Sequence, residues 1–120
     1  MNIIKTILKV LFALIFITAG TLHFVTTDFF MRIMPPIIPW HLFWVYVSGV
    51  FEIVLGIMLL MPKTSRFAAW GLIVLLIVVF PANIYMAVNP QLFSDFSVTG
   101  LYVRLIIQFV LIGWAYWFTK

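Results

Sequence analysis

Residues 42–61 read LFWVYVSGVFEIVLGIMLLM, residues 62–66 read PKTSR, and residues 67–88 read FAAWGLIVLLIVVFPANIYMAV. Two long apolar runs thus flank a short polar turn. A helix crossing a bilayer needs about 20 consecutive apolar residues, at about 1.5 Å per residue across a core of about 30 Å. Both runs meet that length. They are continuous rather than alternating, which excludes the strands of a membrane barrel. Pro62 stops the first helix, and Lys63 and Arg66 hold the turn in water. The stretch predicts a transmembrane helical hairpin.

The same pattern recurs on either side. An apolar run from about Ile7 to Phe24 follows Lys5 and includes Lys9, and another runs from about Gly100 to Phe118 before Lys120. The first run shares a basic start and small residues, Ala19 and Gly20, with a secretory signal. It is long for one, and further membrane segments follow it rather than a soluble domain, so it is read as a retained span. The prediction is an all-α membrane protein, a single four-transmembrane-helix bundle over residues 1–120 with spans at about 7–24, 42–61, 67–88 and 100–118. Composition agrees. Of 120 residues 66% are apolar, close to the roughly 80 residues that four spans require. Only 8% are charged, against about 25% in a soluble domain, which excludes a water-soluble fold.

The net charge of +4 and the pI of 9.8 come from basic residues scattered between apolar blocks. They form no continuous phosphate-binding stripe, so nucleic acid is excluded as a partner. They set orientation instead. Lys5, Lys9, Lys63, Arg66 and Lys120 fall on one side with no acid, while Asp28, Arg32 and Asp95 fall on the other. The positive-inside rule then makes both termini cytoplasmic, with a bacterial inner membrane as the expected location. The absence of cysteine removes disulfides, thiolate nucleophiles and cysteine-ligated clusters.

In so apolar a chain the informative residues are those a bilayer rejects. An ionisable group near a helix centre costs about 2.5–3.5 kcal/mol on insertion scales, so it faces the bundle interior and finds a partner. His23, Glu52, Asn83, Arg104 and Gln108 stand out. His23 closes the first span at its outer end, and Glu52 lies about 15 Å below the outer end of the second. Asn83 lies one to two turns inside the third, Arg104 is about 6 Å deep in the fourth, and Gln108 sits one turn further on the same face. All five fall in the outer half, with every span contributing. Glu52 and Arg104 are the expected ion pair, either locking two helices together or lining a polar cavity. The functional reading takes all five as ligand-binding residues, with Arg104, Gln108 and Asn83 holding a polar headgroup. His41 sits at the water interface beside Trp40. No local ligand spacing supports a metal site from His23, His41 and Glu52, so no metal is predicted.

Ser48, Glu52 and Gly56 share a face of the second span, with Gly49 beside it, and Ala13, Ala19 and Gly20 thin the first. Small residues let membrane helices approach closely, so these are expected packing seams. Pro81 predicts a kink beside Asn83. In the outer loop Val25–His41, Thr27 is expected to cap a short turn. Phe29, Phe30, Trp40 and Trp44 should lay the segment in the interface as a flap.

The runs Ala19-Gly20, His23-Phe24, Ile33-Met34-Pro35-Pro36 and Pro39-Trp40-His41 resemble those of the small DoxX-like membrane proteins. So do Ser48-Gly49-x-x-Glu52, Phe80-Pro81-Ala82-Asn83-Ile84-Tyr85-Met86-Ala87 and Arg104-x-x-x-Gln108. The resemblance covers nearly the whole chain and implies a four-helix membrane bundle. Some DoxX-like proteins are linked to thiosulfate:quinone oxidoreduction or to redox complexes, and distant animal relatives assist receptor assembly. Two functions are therefore expected in competition. One is a membrane subunit that binds a quinone-like or other amphipathic small molecule from the outer leaflet and takes electrons from a redox partner. The other is a membrane scaffold or assembly chaperone whose polar cluster is structural. A transport role would require a homo-oligomer, since four helices are few for a translocation path.

Overall fold

A computed structural model describes residues 3–120. The elements in order are α1 (Ile3–Val25), α2 (Thr27–Ile33), α3 (His41–Leu60), α4 (Ser65–Val78), α5 (Phe80–Val88), a 3-10 turn (Pro90–Leu92) and α6 (Val98–Trp117). No strand occurs among the described residues. Four helical stretches are long and apolar enough to cross a membrane: α1, α3, the α4–α5 stretch Ser65–Val88, and α6.

Local chemistry explains the boundaries. Within the described residues α1 reaches back to Ile3, ahead of the apolar run, since Lys5 and Thr6 are tolerated in a helix. The third span is broken at Val79, two residues before Pro81, which has no N–H for the helical ladder. Ser97 caps α6, its Oγ accepting from the Gly100 N–H at 2.9 Å. The expected Thr27 cap is not made. The Thr26 and Thr27 hydroxyls instead donate back to the Leu22 and His23 carbonyls, at 2.9 and 2.8 Å. The Leu22 carbonyl accepts from the Thr26 N–H as well, at 2.7 Å, so the two hydroxyls back-bond to the last turn of α1 rather than cap α2.

The helices form a ring. α1 packs on α3, α3 on α4, and α6 on both α4 and α5. The ring closes near the basic end, where Phe12 of α1 meets Trp114 and Phe118 with ring centroids 4.9 and 5.6 Å apart. The main core lies at that level and includes Phe16, Leu59, Leu72 and Ala115. A second core, Ile33, Met86, Phe93 and Leu101, lies beneath α2 at the other end. Across the four spans only 28, 33, 33 and 17% of the most apolar window is buried within the protein. The rest is exposed apolar surface far beyond what a soluble monomer tolerates, and a bilayer is the environment that covers it.

The predicted seam is the tightest crossing. A Cβ added at Gly20 of α1 would lie 2.6 Å from the Gly49 carbonyl oxygen of α3, and one at Gly49 would lie 2.8 Å from His23 Cβ. Only glycine permits that approach, which brings the backbones of α1 and α3 together directly under the outer loop.

Candidate functional site

The α1–α3 crossing positions the first polar pair. His23 follows Gly20 by three residues and Glu52 follows Gly49 by three; α1 and α3 run antiparallel, so each side chain leaves the seam beside the glycine of the facing helix. His23 Nδ1 lies 3.1 Å from Glu52 Oε2, and both residues are buried. The same nitrogen is 2.7 Å from the Ala19 carbonyl, an acceptor only, so its proton belongs to that bond. No hydrogen is therefore aimed at the carboxylate, and Glu52 Oε2 is buried without a hydrogen-bond partner.

The second group joins α5 and α6. Arg104 Nε donates to Asn83 Oδ1 at 3.1 Å, Asn83 Nδ2 donates to Gln108 Oε1, and Gln108 Nε2 donates to the Leu76 carbonyl at 2.7 Å. The amide orientations are forced. A guanidinium only donates and a main-chain carbonyl only accepts, so the chain of bonds can run in one direction alone. Its last acceptor lies in the final turn of α4, beside the break that Pro81 follows, so Gln108 ties α6 to the kinked span. Arg104 commits one donor here. Among the described residues its two terminal nitrogens have no hydrogen-bond partner, leaving four of five donors unused.

The structure thus divides the five predicted residues into two groups, and it corrects the expected Glu52–Arg104 ion pair. Glu52 lies against His23, and Arg104 is bound to Asn83. The cause is helix order: α3 packs between α1 and α4, whereas α6 packs on α4 and α5, so Glu52 turns to the glycine seam of α1. His41 stands apart, its Nε2 lying 3.2 Å from the Pro35 carbonyl. Among the described residues no three His, Asp or Glu side chains gather as a metal set.

The outer-loop helix α2 joins the two groups. Phe30 stacks on the His23 ring at 3.8 Å and 17°, and the Phe29 ring centroid is 5.8 Å from Arg104 Cζ. The flap expected from the loop aromatics is therefore an amphipathic helix whose adjacent phenylalanines cover both polar groups. These rings stand where an open pocket was expected. Two open, apolar surface depressions of about 490 and 390 Å³ lie along Trp40–Phe43 and Phe43–Phe51, and neither includes a residue of the cluster.

A latch missed in the sequence holds α2 down. Arg32 Nη2 donates to both oxygens of Asp95, at 3.2 and 2.9 Å, joining α2 to the loop before α6. Arg32 also lies over the Phe93 ring, 5.4 Å from its centroid. The hydrogen bond from Arg32 holds the Asp95 carboxyl below the usual carboxylate range. The available signal was that Arg32 is the sole basic residue in the outer loops.

This is the architecture of a small four-helix membrane protein with polar groups buried in one half of the bundle. The chain belongs to the family described as Domain of unknown function (DUF8561), which matches residues 12–119 and so takes in every element from the middle of α1 onward. No curated protein and no solved structure matches it.

Proposed function

We propose that the protein is a membrane subunit that binds the polar headgroup of a quinone-like amphipathic small molecule between the two polar groups, with α2 as the cover. The observation that carries this reading is the pair of unmet polar groups beneath Phe29 and Phe30: the buried Glu52 Oε2 and the free end of Arg104. The unmet Glu52 oxygen costs about 1–3 kcal/mol, which a ligand hydroxyl would recover, while a ligand oxygen would engage the half-buried Arg104 guanidinium. A quinone presents the first and its reduced form the second. His23 and Glu52 then supply a proton-exchanging pair next to that headgroup. Asn83 and Gln108 take a different role from the one expected of them. They hold Arg104 and leave the headgroup contact to its terminal nitrogens. The resemblance to DoxX-like proteins points in the same direction. Since the chain has no cysteine, electrons would come from a partner protein.

A scaffold or assembly role is the competing reading. It is favoured by the closed run of bonds from Asn83 through Gln108 to Leu76, which needs no ligand. Extraction of the parent and Arg104→Gln proteins from the same membranes in mild detergent, followed by mass spectrometry of the organic extract, separates the two. The ligand reading expects an amphipathic molecule enriched over bulk lipid in the parent and depleted in the variant. A parent extract with the bulk composition, or equal retention by both proteins, refutes it in favour of the scaffold.

A further inference from the structure

The opposite end of the bundle carries a buried cation with no counter-charge of its own. Lys9, on α1, is 8% exposed, and its Nζ donates to Ser65 Oγ at 3.0 Å. Ser65 is equally buried and opens α4, so the ammonium reaches across the end of the bundle. An ammonium has three donors, and this bond uses one. Every charged side chain at this end has the same sign. Lys5 lies one turn earlier on α1 with its Nζ on the Lys120 carbonyl at 3.2 Å, and Lys63 and Arg66 flank Ser65 in the exposed turn. The chain has three side-chain carboxylates in all. Asp28 and Asp95 lie at the far end, and Glu52 lies against His23 in the other half. No carboxylate side chain is available to Lys9.

A buried charge is retained only where something pairs with it. From this arrangement we infer that Lys9 and Ser65 form the floor of a binding site for the phosphate of an anionic phospholipid in the leaflet at this end, with Lys5 and Arg66 at its rim. Depth decides the occupant. Lys9 is level with Ser65, the first residue of α4 next to the exposed turn, which is the headgroup and upper acyl region of a bilayer. A phosphate diester reaching that level carries its acyl chains naturally along the apolar outer faces of α1 and α4. A free phosphate would have to leave water to reach it. Ser65 can turn its hydroxyl proton to the phosphate while still accepting from Lys9.

The test uses the full chain in detergent, titrated with phosphatidylglycerol or phosphatidylcholine and followed by native mass spectrometry and thermal melting. The parent should retain phosphatidylglycerol over phosphatidylcholine and melt higher with it, while inorganic phosphate should not raise the melt. Lys9→Gln should reduce the preference by about fivefold or more, the effect of one basic residue at an anionic surface. Arg66→Gln should reduce it less, and Lys9→Arg should keep most of it. Equal retention of both lipids by the parent overturns the proposal without any variant, so a Lys9→Gln protein that fails to fold does not shelter it. Equal losses from Lys9→Gln and Arg66→Gln would reduce the effect to general surface charge. Stabilisation by inorganic phosphate matching that by lipid would remove the lipid from the site.

Discussion

Replacing Gln108 with leucine tests whether the α5–α6 network is a structural tie. Gln108 is 5% exposed and makes two bonds, accepting from Asn83 Nδ2 and donating to the Leu76 carbonyl. Leucine matches its size and orphans both partners. In water-soluble proteins each buried orphan costs about 1–3 kcal/mol. Inside a membrane the unfolded helices also find partners, and measured interhelical bonds average about 0.6 kcal/mol with a maximum near 1.7. Two bonds therefore put the loss between about 1 and about 3 kcal/mol. Were Gln108 only a ligand contact, Gln108→Leu would leave folding nearly intact; its bond to the kinked span sets the opposite expectation. Unfolding in a titrated denaturing detergent, followed by circular dichroism, reads the loss directly. The Asn83→Leu/Gln108→Leu double variant should lose less than the sum of the single changes, because their shared bond is counted twice. Unchanged stability of Gln108→Leu would refute the network as a tie between α6 and the third span.

Gly20→Ala should destabilise by about 1–3 kcal/mol, because the new methyl meets a main-chain oxygen that cannot turn aside. A thermal melt in detergent no lower than the parent's would show that α1 and α3 do not cross this closely. The Arg32–Asp95 latch is expected to weaken in acid. Asp95's carboxyl is held below its unfolded value, so the latch contributes fully above about pH 4 and is lost as pH falls through the lower folded value. Hydrogen exchange in residues 27–33 should rise over that window, and Asp95→Asn should raise it already at neutral pH. Exchange that ignores both changes would mean that α2 is held by its phenylalanines alone.

The fold was legible because four apolar runs of the right length, separated by proline and charge, leave a chain few alternatives. The kink was legible for the same kind of reason, since Pro81 cannot complete the ladder wherever the helix is packed. Element starts were less so. α1 runs past its apolar segment to Ile3, and Thr27 bonds backward instead of capping forward. In both places the polar residues at a helix end had two acceptable local partners, and propensity does not rank them.

The site was legible only in part. Counting residues along each span gathered the five polar side chains toward one end, but it set His23 at the end of its span and Glu52 about 15 Å down the next, whereas the two lie 3.1 Å apart. Pairing depends on which helix neighbours which, and four apolar helices can be arranged around a ring in more than one order. Charge suggested Glu52 with Arg104, but α3 and α6 are not packed together. A better guide lay in the spacing of small residues. Gly20 precedes His23 by three residues as Gly49 precedes Glu52, so in antiparallel helices each polar group falls beside the other helix's glycine, where the backbones can approach. Read together, the two glycine-plus-three patterns select α1 and α3 as partners. That leaves Arg104 to the remaining polar residue at its depth, Asn83. The same logic separates the polar groups by what they have left over. Every polar side-chain atom of Asn83 and Gln108 has a partner among the two residues themselves, Arg104 and Leu76, whereas Glu52 Oε2 and the terminal nitrogens of Arg104 have none among the described residues. On the proposed ligand reading, those two residues are the ones left to meet a bound molecule, and α2 is the element that covers them.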